Sequence, residues 1–263
     1  MIRGAVTLSL LAAACASAPA RQFDGGLPIA DAGATDAGAT DAGWVSLFNG
    51  SDLSGWDKYL GKPTPADPPL GLNNDPRGVF SVVTVDGEPA IHITGEVWGA
   101  LVSAAEYGAF DLHAEYKWGT LAWPPLNFLD SGIMYLTTGP YGAVNAGGDA
   151  LSSPTGSGAF QVSMEYQLAG GDIGGLYNLG PIQHVNGPRN KLADLPVVWN
   201  VIDIQVRAHS AEHFLNGVSV ASATGFTLAL PGTAAVPLTR GKLQLQCEGG
   251  EIYFRRVRIH PFD

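Results

Sequence analysis

Residues 158–175 read GAFQVSMEYQLAGGDIGG, and the fold turns on how the middle of this stretch is read. Taken in steps of two, Phe160, Val162, Met164, Tyr166 and Leu168 make one face; Gln161, Ser163, Glu165 and Gln167 make the other. A period of two marks a strand with one face in a core and one face outside it. The segment therefore predicts a half-buried β-strand that runs into a glycine-rich turn. It also poses a chemical question, because the polar face sets a carboxylate between a hydroxyl and an amide.

The same pattern recurs on both sides. In AFDLHAEYKWG, Phe110, Leu112, Ala114, Tyr116 and Trp118 alternate with Asp111, His113, Glu115 and Lys117. In WNVIDIQVRAH, Ile202, Ile204 and Val206 alternate with Asp203, Gln205 and Arg207. Asp86-Gly87 and Asn216-Gly217 are turn pairs of the kind that close two-residue hairpins. KLQLQCEGGEIYFRRVRI reads as a last hairpin around Gly249-Gly250. No amphipathic helix of three turns is visible. Many short strands with frequent turns predict an all-β sandwich or jelly roll. Two long Gly/Pro/Asn-rich segments, at 61–78 and 141–158, interrupt the strands, and the second immediately precedes the strand of Glu165. Loops of that length in a compact domain are often functional.

The chain has 263 residues, 46% hydrophobic, with a formal net charge of -10. This length holds one large all-β domain or two small ones. The acidic balance argues against nucleic acid, which calls for a basic stripe. Residues 1–19 read as an export signal: Arg3 supplies a basic start, and Ala5 to Ala14 is an apolar run too short to span a bilayer. LAAAC resembles a bacterial lipoprotein signal, in which Cys15 would be lipidated; the alternative is an ordinary secretory peptide cut after ASA or APA. Both readings export the protein, to the periplasm or to an outer-membrane anchor, and the lipid is then its only tie to a membrane. Residues 20–43 contain DAGATDAGATDAG, a low-complexity acidic tether with little to bury. The β-sandwich domain is expected over 44–263. The other cysteine, Cys247, lies on the apolar side of its strand and reads as a buried thiol.

Several segments follow in the order of one known family. WVSLFNGSDLSGW, EYGAFDLHAEYKWG, DSGIMY, MEYQLAGGDIGGLYNLG and GKLQLQCEGGEIYFRRVRI run from Trp44 to about Pro261. Together they resemble the 3-keto-disaccharide hydrolase domain family, also described as 3-keto-glucoside lyase/hydratase. Where that family commonly has Asn-Ser-Gly, this chain has Asp130-Ser131-Gly132, which adds a charge. The resemblance implies a concanavalin A-like jelly roll of two packed antiparallel sheets, with a sugar site on the concave face. It also implies an oligosaccharide or 3-keto-glycoside as substrate.

A ketone at C3 acidifies the C2 proton. Cleavage by elimination then needs a base at C2 and a group that stabilises the enolate oxygen. Glu165 is the first candidate for the carboxylate, with Gln167 beside it for sugar hydroxyls. Glu115 and Lys117 alternate identically on another strand and are expected to share that face, Lys117 facing the enolate. Asp130 is a second carboxylate. Asp172 and His184 follow the Glu165 strand and are expected to close over it. Among aromatics in or next to loops, Trp56, Trp98, Trp123 and Tyr177 are candidates for a stacking platform, whereas Trp44, Trp118 and Trp199 fit core positions. A divalent cation held by Asp130, Glu165 or His184 is conceivable, but no ligand cluster is legible in the spacing. Two other readings stay open: an ordinary glycoside hydrolase of the same fold, with Glu115 pairing with Glu165 across strands, and a non-catalytic carbohydrate-binding module. Laminarinase-like enzymes carry Glu-x-Asp-x-x-Glu, and that motif is absent here.

Overall fold

The structure, a computed structural model, describes residues 43–144, 158–195, 197–230 and 232–262. The export signal, Cys15, nearly all of the 20–43 tether and residues 145–157 of the second long loop lie outside these residues. All regular structure described is β. The first strands are β1 (Val45–Ser46), β2 (Trp56–Leu60), β3 (Gly71–Leu72), β4 (Phe80–Val85), β5 (Glu88–Ile93) and β6 (Gly99–Ser103). The middle of the chain forms β7 (Phe110–Ala122), β8 (Asp130–Thr138), β9 (Val162–Ala169), β10 (Leu176–Leu179) and β11 (Ile182–Arg189). There follow β12 (Asn200–Arg207), β13 (Ser210–Leu215), β14 (Val218–Leu228), β15 (Val236–Pro237), β16 (Lys242–Cys247) and β17 (Gly250–Pro261).

They form two antiparallel sheets. The larger runs β11-β14-β13-β12-β7-β17-β5-β4, with β1 on β17 and β15 on β14; the smaller runs β10-β9-β8-β16-β6-β2-β3. The core between them is supplied by the apolar half of each alternating strand. Met164, Tyr166 and Leu168 of β9, with Ile133 and Tyr135 of β8, face Tyr116 of β7, Ile202 and Ile204 of β12, and Phe254 of β17; all are fully buried. Each such side chain contributes about 1.5–3 kcal/mol through burial. The hairpins at Asp86-Gly87 and Asn216-Gly217 form as the sequence predicts, with positive φ at all four residues.

The expected last hairpin does not form. β16 belongs to the smaller sheet and β17 to the larger, so Glu248-Gly249 carries the chain from one sheet to the other. A glycine pair permits either a hairpin or an arch between layers; pairing partners decide. Here Gly250 pairs with Ala122 of β7, and its backbone lies so close to Asp130 that a Cβ on Gly250 would sit 2.6 Å from Asp130 N.

Three of the aromatic assignments also change. Trp56 is buried, its Nε1 donating to Leu47 O at 2.6 Å, so it belongs to the core and not to a platform. Trp44 and Trp199 are half-buried at the outer face of the larger sheet, beneath Arg258 and Arg255. Between the sheets, His213 is fully buried, with Tyr135 Oη 2.9 Å from its Nε2 and Gly174 O 3.1 Å from its Nδ1. A neutral ring satisfies both contacts, donating from Nδ1 and accepting at Nε2, and burial pushes its pKa down to about 3.

Candidate functional site

Cross-strand register fixes which side chains share the outer face of the smaller sheet. Glu165 pairs with Met134 and Tyr177, Met134 with Gln244, and Gln244 with Val102. Directly paired residues in an antiparallel sheet point the same way. Glu165, Gln167, Gln244 and Gln246 therefore lie on one face, opposite the core-facing Tyr166 and Leu245. Asp130 has the same parity on β8 as Gly132 and Met134 and joins them.

At the centre of this face is a buried carboxylate cluster. Glu165 is 5% exposed and Asp130 7% exposed, while Glu248, at the sheet-crossing turn, is half-buried. Burial, reinforced by the charge of Asp130, pushes Glu165 up to about 8. Burial pushes Asp130 up to about 7, against the opposing hydrogen bond from the Ser131 N–H. Glu248 is also raised, by burial and by the charges of Glu165 and Asp130. Burial and mutual repulsion thus favour the protonated form of all three, with Asp130 and Glu165 titrating around neutrality.

Two amides line the cluster. Gln246 Nε2 donates to Glu248, leaving Gln246 Oε1 buried without a partner, as is Asp130 Oδ1. The hydrogen bond between Gln246 and Glu165 opposes the rise in the Glu165 pKa, and burial outweighs it. Gln167, with its Nε2 turned inward, donates to Ser131 O and to Glu165 Oε1, each at 3.2 Å. Gly132 makes room for this arrangement. A Cβ there would lie 2.7 Å from Glu165 Oε1 and 2.8 Å from Gln246 Oε1, closer than such atoms approach without displacement. Among the described residues, no three His, Cys, Asp or Glu side chains come together as a metal site.

Two flanks adjoin the cluster. On the β16 side, Lys242 Nζ lies over the Tyr141 ring at 5.7 Å, Tyr141 Oη donates to Asp57 at 2.9 Å, and Tyr141 stacks on Tyr59 at 5.5 Å. On the β10 side, Tyr177 is 48% exposed and donates to Asp172, which also pairs with Arg189.

The structure thus brings Glu165, Asp130 and Gln167 together, with Tyr177 beside them and Asp172 one contact further out. Glu115 and Lys117 are elsewhere: they lie on β7, in the other sheet, facing away from the core. Glu115 is held by Arg255 at 2.7 Å and Arg256 at 3.0 Å, and Lys117 pairs with Asp86 at 2.9 Å. The expectation that they share the Glu165 face, and the pairing of Glu115 with Glu165, are both corrected. Alternation assigns a side chain to a face of its own sheet but cannot say which of two sheets the strand joins. His184 is on β11 of the larger sheet, half-buried, with Nε2 3.1 Å from Asn186 Oδ1 and its ring beside Phe226; it does not close over Glu165. Trp123 Nε1 donates to Thr94 O at 2.9 Å, and its backbone is bonded to the Gly249 turn, so the ring packs beside the arch that carries Glu248.

Sequence reasoning missed Glu248, Gln246 and Lys242. The signal was present: KLQLQCEGG puts Lys242, Gln244 and Gln246 on one face and ends in Glu-Gly-Gly, much as the Glu165 strand puts amides on one face and ends in Gly-Gly. Reading the segment as a hairpin hid it.

The comparisons with known proteins agree with this architecture. The family described as the 3-keto-alpha-glucoside-1,2-lyase-like domain matches residues 43–260. No curated protein matches. Among solved structures, a candidate glycosyl hydrolase of Parabacteroides distasonis is 21% identical with a TM-score of 0.53, over 84% of this chain and 95% of that one. A second candidate glycosyl hydrolase of the same organism is 19% identical at 0.48, over 83% and 99%. A β-glucanase of Bacillus licheniformis is 13% identical at 0.41, over 80% and 93%. At these identities the first of them supports the fold and nothing finer.

Proposed function

Because this chain belongs to the 3-keto-alpha-glucoside-1,2-lyase-like domain family, we propose that it cleaves 3-keto-glycosides by elimination and then hydrates the product. The observation that carries this reading is the buried carboxylate cluster, with Asp130 near 7 and Glu165 near 8. Groups poised near neutral pH are efficient in proton transfer. In such a cluster one carboxylate is ionised while another still carries a proton.

The ionised member of the Asp130–Glu165 pair takes the proton from C2. The C–H electrons form the enolate, C2=C3–O⁻. The enolate collapses to restore C3=O, a C1=C2 double bond forms, and the C1–O bond breaks. The protonated carboxylic acid gives its proton to the departing oxygen. Water then adds across C1=C2, with hydroxide to C1 and a proton to C2, so the net change is hydrolysis. Lys242 replaces Lys117 as the cation on the correct face and is suited to the developing enolate charge. Gln167 orients Glu165.

The test offers the purified protein a 3-keto-disaccharide beside the same sugar unoxidised. Cleavage of the ketone alone, with exchange of the C2 hydrogen for solvent deuterium, is expected. Equal inactivity on both by folded protein overturns the reading. We also propose that the protein is exported and anchored through Cys15; metabolic labelling with a palmitate analogue, lost in Cys15→Ser, tests this.

A further inference from the structure

Beside the carboxylate cluster, and outside it, lies a cleft of about 270 Å³ between β10 and the ends of β11 and β14. Its walls include Tyr177, Asp172, Asn186, Arg189, Lys191 and Ser222. Three observations single it out. Tyr177 is the direct cross-strand partner of Glu165, one strand spacing of about 4.8 Å away, so the ring connects the reacting face to the cleft. The ring is also laid down in a defined pose: a Cβ on Gly175 would lie 2.6 Å from Tyr177 Cε2 and 2.8 Å from Asp172 Oδ2, and the absence of that Cβ lets the ring fold back to bond Asp172. Finally, Arg189 is fixed before any ligand arrives. Its Nη1 donates to Val220 O at 3.0 Å, its Nη2 donates to Ile173 O at 3.3 Å, and it pairs with Asp172.

An exposed aromatic face next to a preorganised guanidinium, a carboxylate, an amide and an ammonium group is suited to a polyhydroxylated ring. The apolar C–H face of the sugar stacks on the phenol ring, and the hydroxyls take the polar groups. We infer that this cleft is the leaving-group subsite, in which the departing ring stacks on Tyr177. This rests on the reading that the Glu165 face holds the reacting ring.

The experiment has a kinetic arm and a binding arm. In the first, wild type and Tyr177→Ala are compared on a 3-keto-disaccharide and on methyl 3-keto-glucoside. The variant is expected to lose about tenfold in kcat/KM on the disaccharide and about twofold or less on the methyl glycoside, the scale of losing one aromatic contact. Equal losses on both substrates overturn the subsite. Tyr177→Phe, which keeps the ring, is expected to keep the disaccharide preference, and Ser222→Tyr, which fills the opposite wall, is expected to lose it. In the second arm, calorimetry measures binding of the unoxidised disaccharide and of methyl glucoside, with no turnover required. Tighter binding of the disaccharide by wild type, abolished in Tyr177→Ala, supports the subsite even if neither ketone is cleaved; that latter outcome sinks only the proposed reaction. Equal binding of the two sugars by wild type overturns the subsite itself.

Discussion

Replacing Glu165 by Gln tests the protonation account at the centre of the site. The side chains are nearly isosteric, so the change removes an ionisable group and little else. Glu165 has its pKa raised from 4.5 in the unfolded chain to about 8 in the fold. A group raised in this way binds more protons folded than unfolded, so wild-type stability falls as pH rises from about 4.5 through 8. The shift times about 1.4 kcal/mol per unit gives a ceiling of about 5 kcal/mol. Asp130 shares the repulsion and takes part of it, so about 2–3 kcal/mol is assigned to Glu165 alone. A domain of this size moves by about 2–4 °C per kcal/mol, so Glu165→Gln is expected to melt roughly 4–12 °C above wild type at pH 9 and close to wild type at pH 5. Differential scanning fluorimetry in matched buffers across that range measures the difference. A gap between the two proteins that stays constant with pH would mean that Glu165 carries no extra proton in the fold, and the acid–base roles given to the cluster would go with it.

The remaining predictions follow from the same geometry. Asp130→Asn removes the charge that helps raise Glu165, so the pH–rate limb of the residual activity near 8 is expected to move to lower pH; a stationary limb refutes the coupling. His213 has the opposite sign: with its pKa lowered to about 3 by burial, it costs stability as pH falls from about 6.5 towards 3, and His213→Asn is expected to flatten the acid side of the melting profile. Gly132→Ala places a methyl 2.7 Å from Glu165 Oε1 and is expected to lower kcat about tenfold or more by displacing the acid, with KM far less affected. Lys117→Ala breaks an exposed ion pair on the other sheet and is expected to leave kcat/KM at the wild-type value; a large loss would return Lys117 to the mechanism. Cys247 is fully buried, with its thiol bonded to Val97 O at 3.0 Å and its pKa raised by burial, so a thiol reagent is expected to label it only in denaturant.

The period of two in the chain settled most of the local structure. It identified β7, β9 and β12, named their core-facing residues, and placed Glu165 and Gln167 on the non-core face; one-sided burial holds for β7 and β12, whereas β9 is buried on both faces, against the half-buried reading of its sequence. Asp86-Gly87 and Asn216-Gly217 marked their hairpins because positive φ is costly for most other residues. The sequence also carried the family, through segments spread from Trp44 to the end of β17. What alternation cannot carry is the partner of a strand. Lys117 on β7 and Glu165 on β9 have the same pattern and belong to different sheets; Gly249 looks like a hairpin turn and is a crossing between layers. Only the pairing of β16 with β8, and of β17 with β7, brings Glu248 and Gln246 to Glu165, and only that gathering keeps protons on the carboxylates. A pKa raised by burial and by neighbouring charge is set by distances through space, between residues more than a hundred positions apart in the chain for Asp130 and Glu248, and local patterning holds no record of those distances.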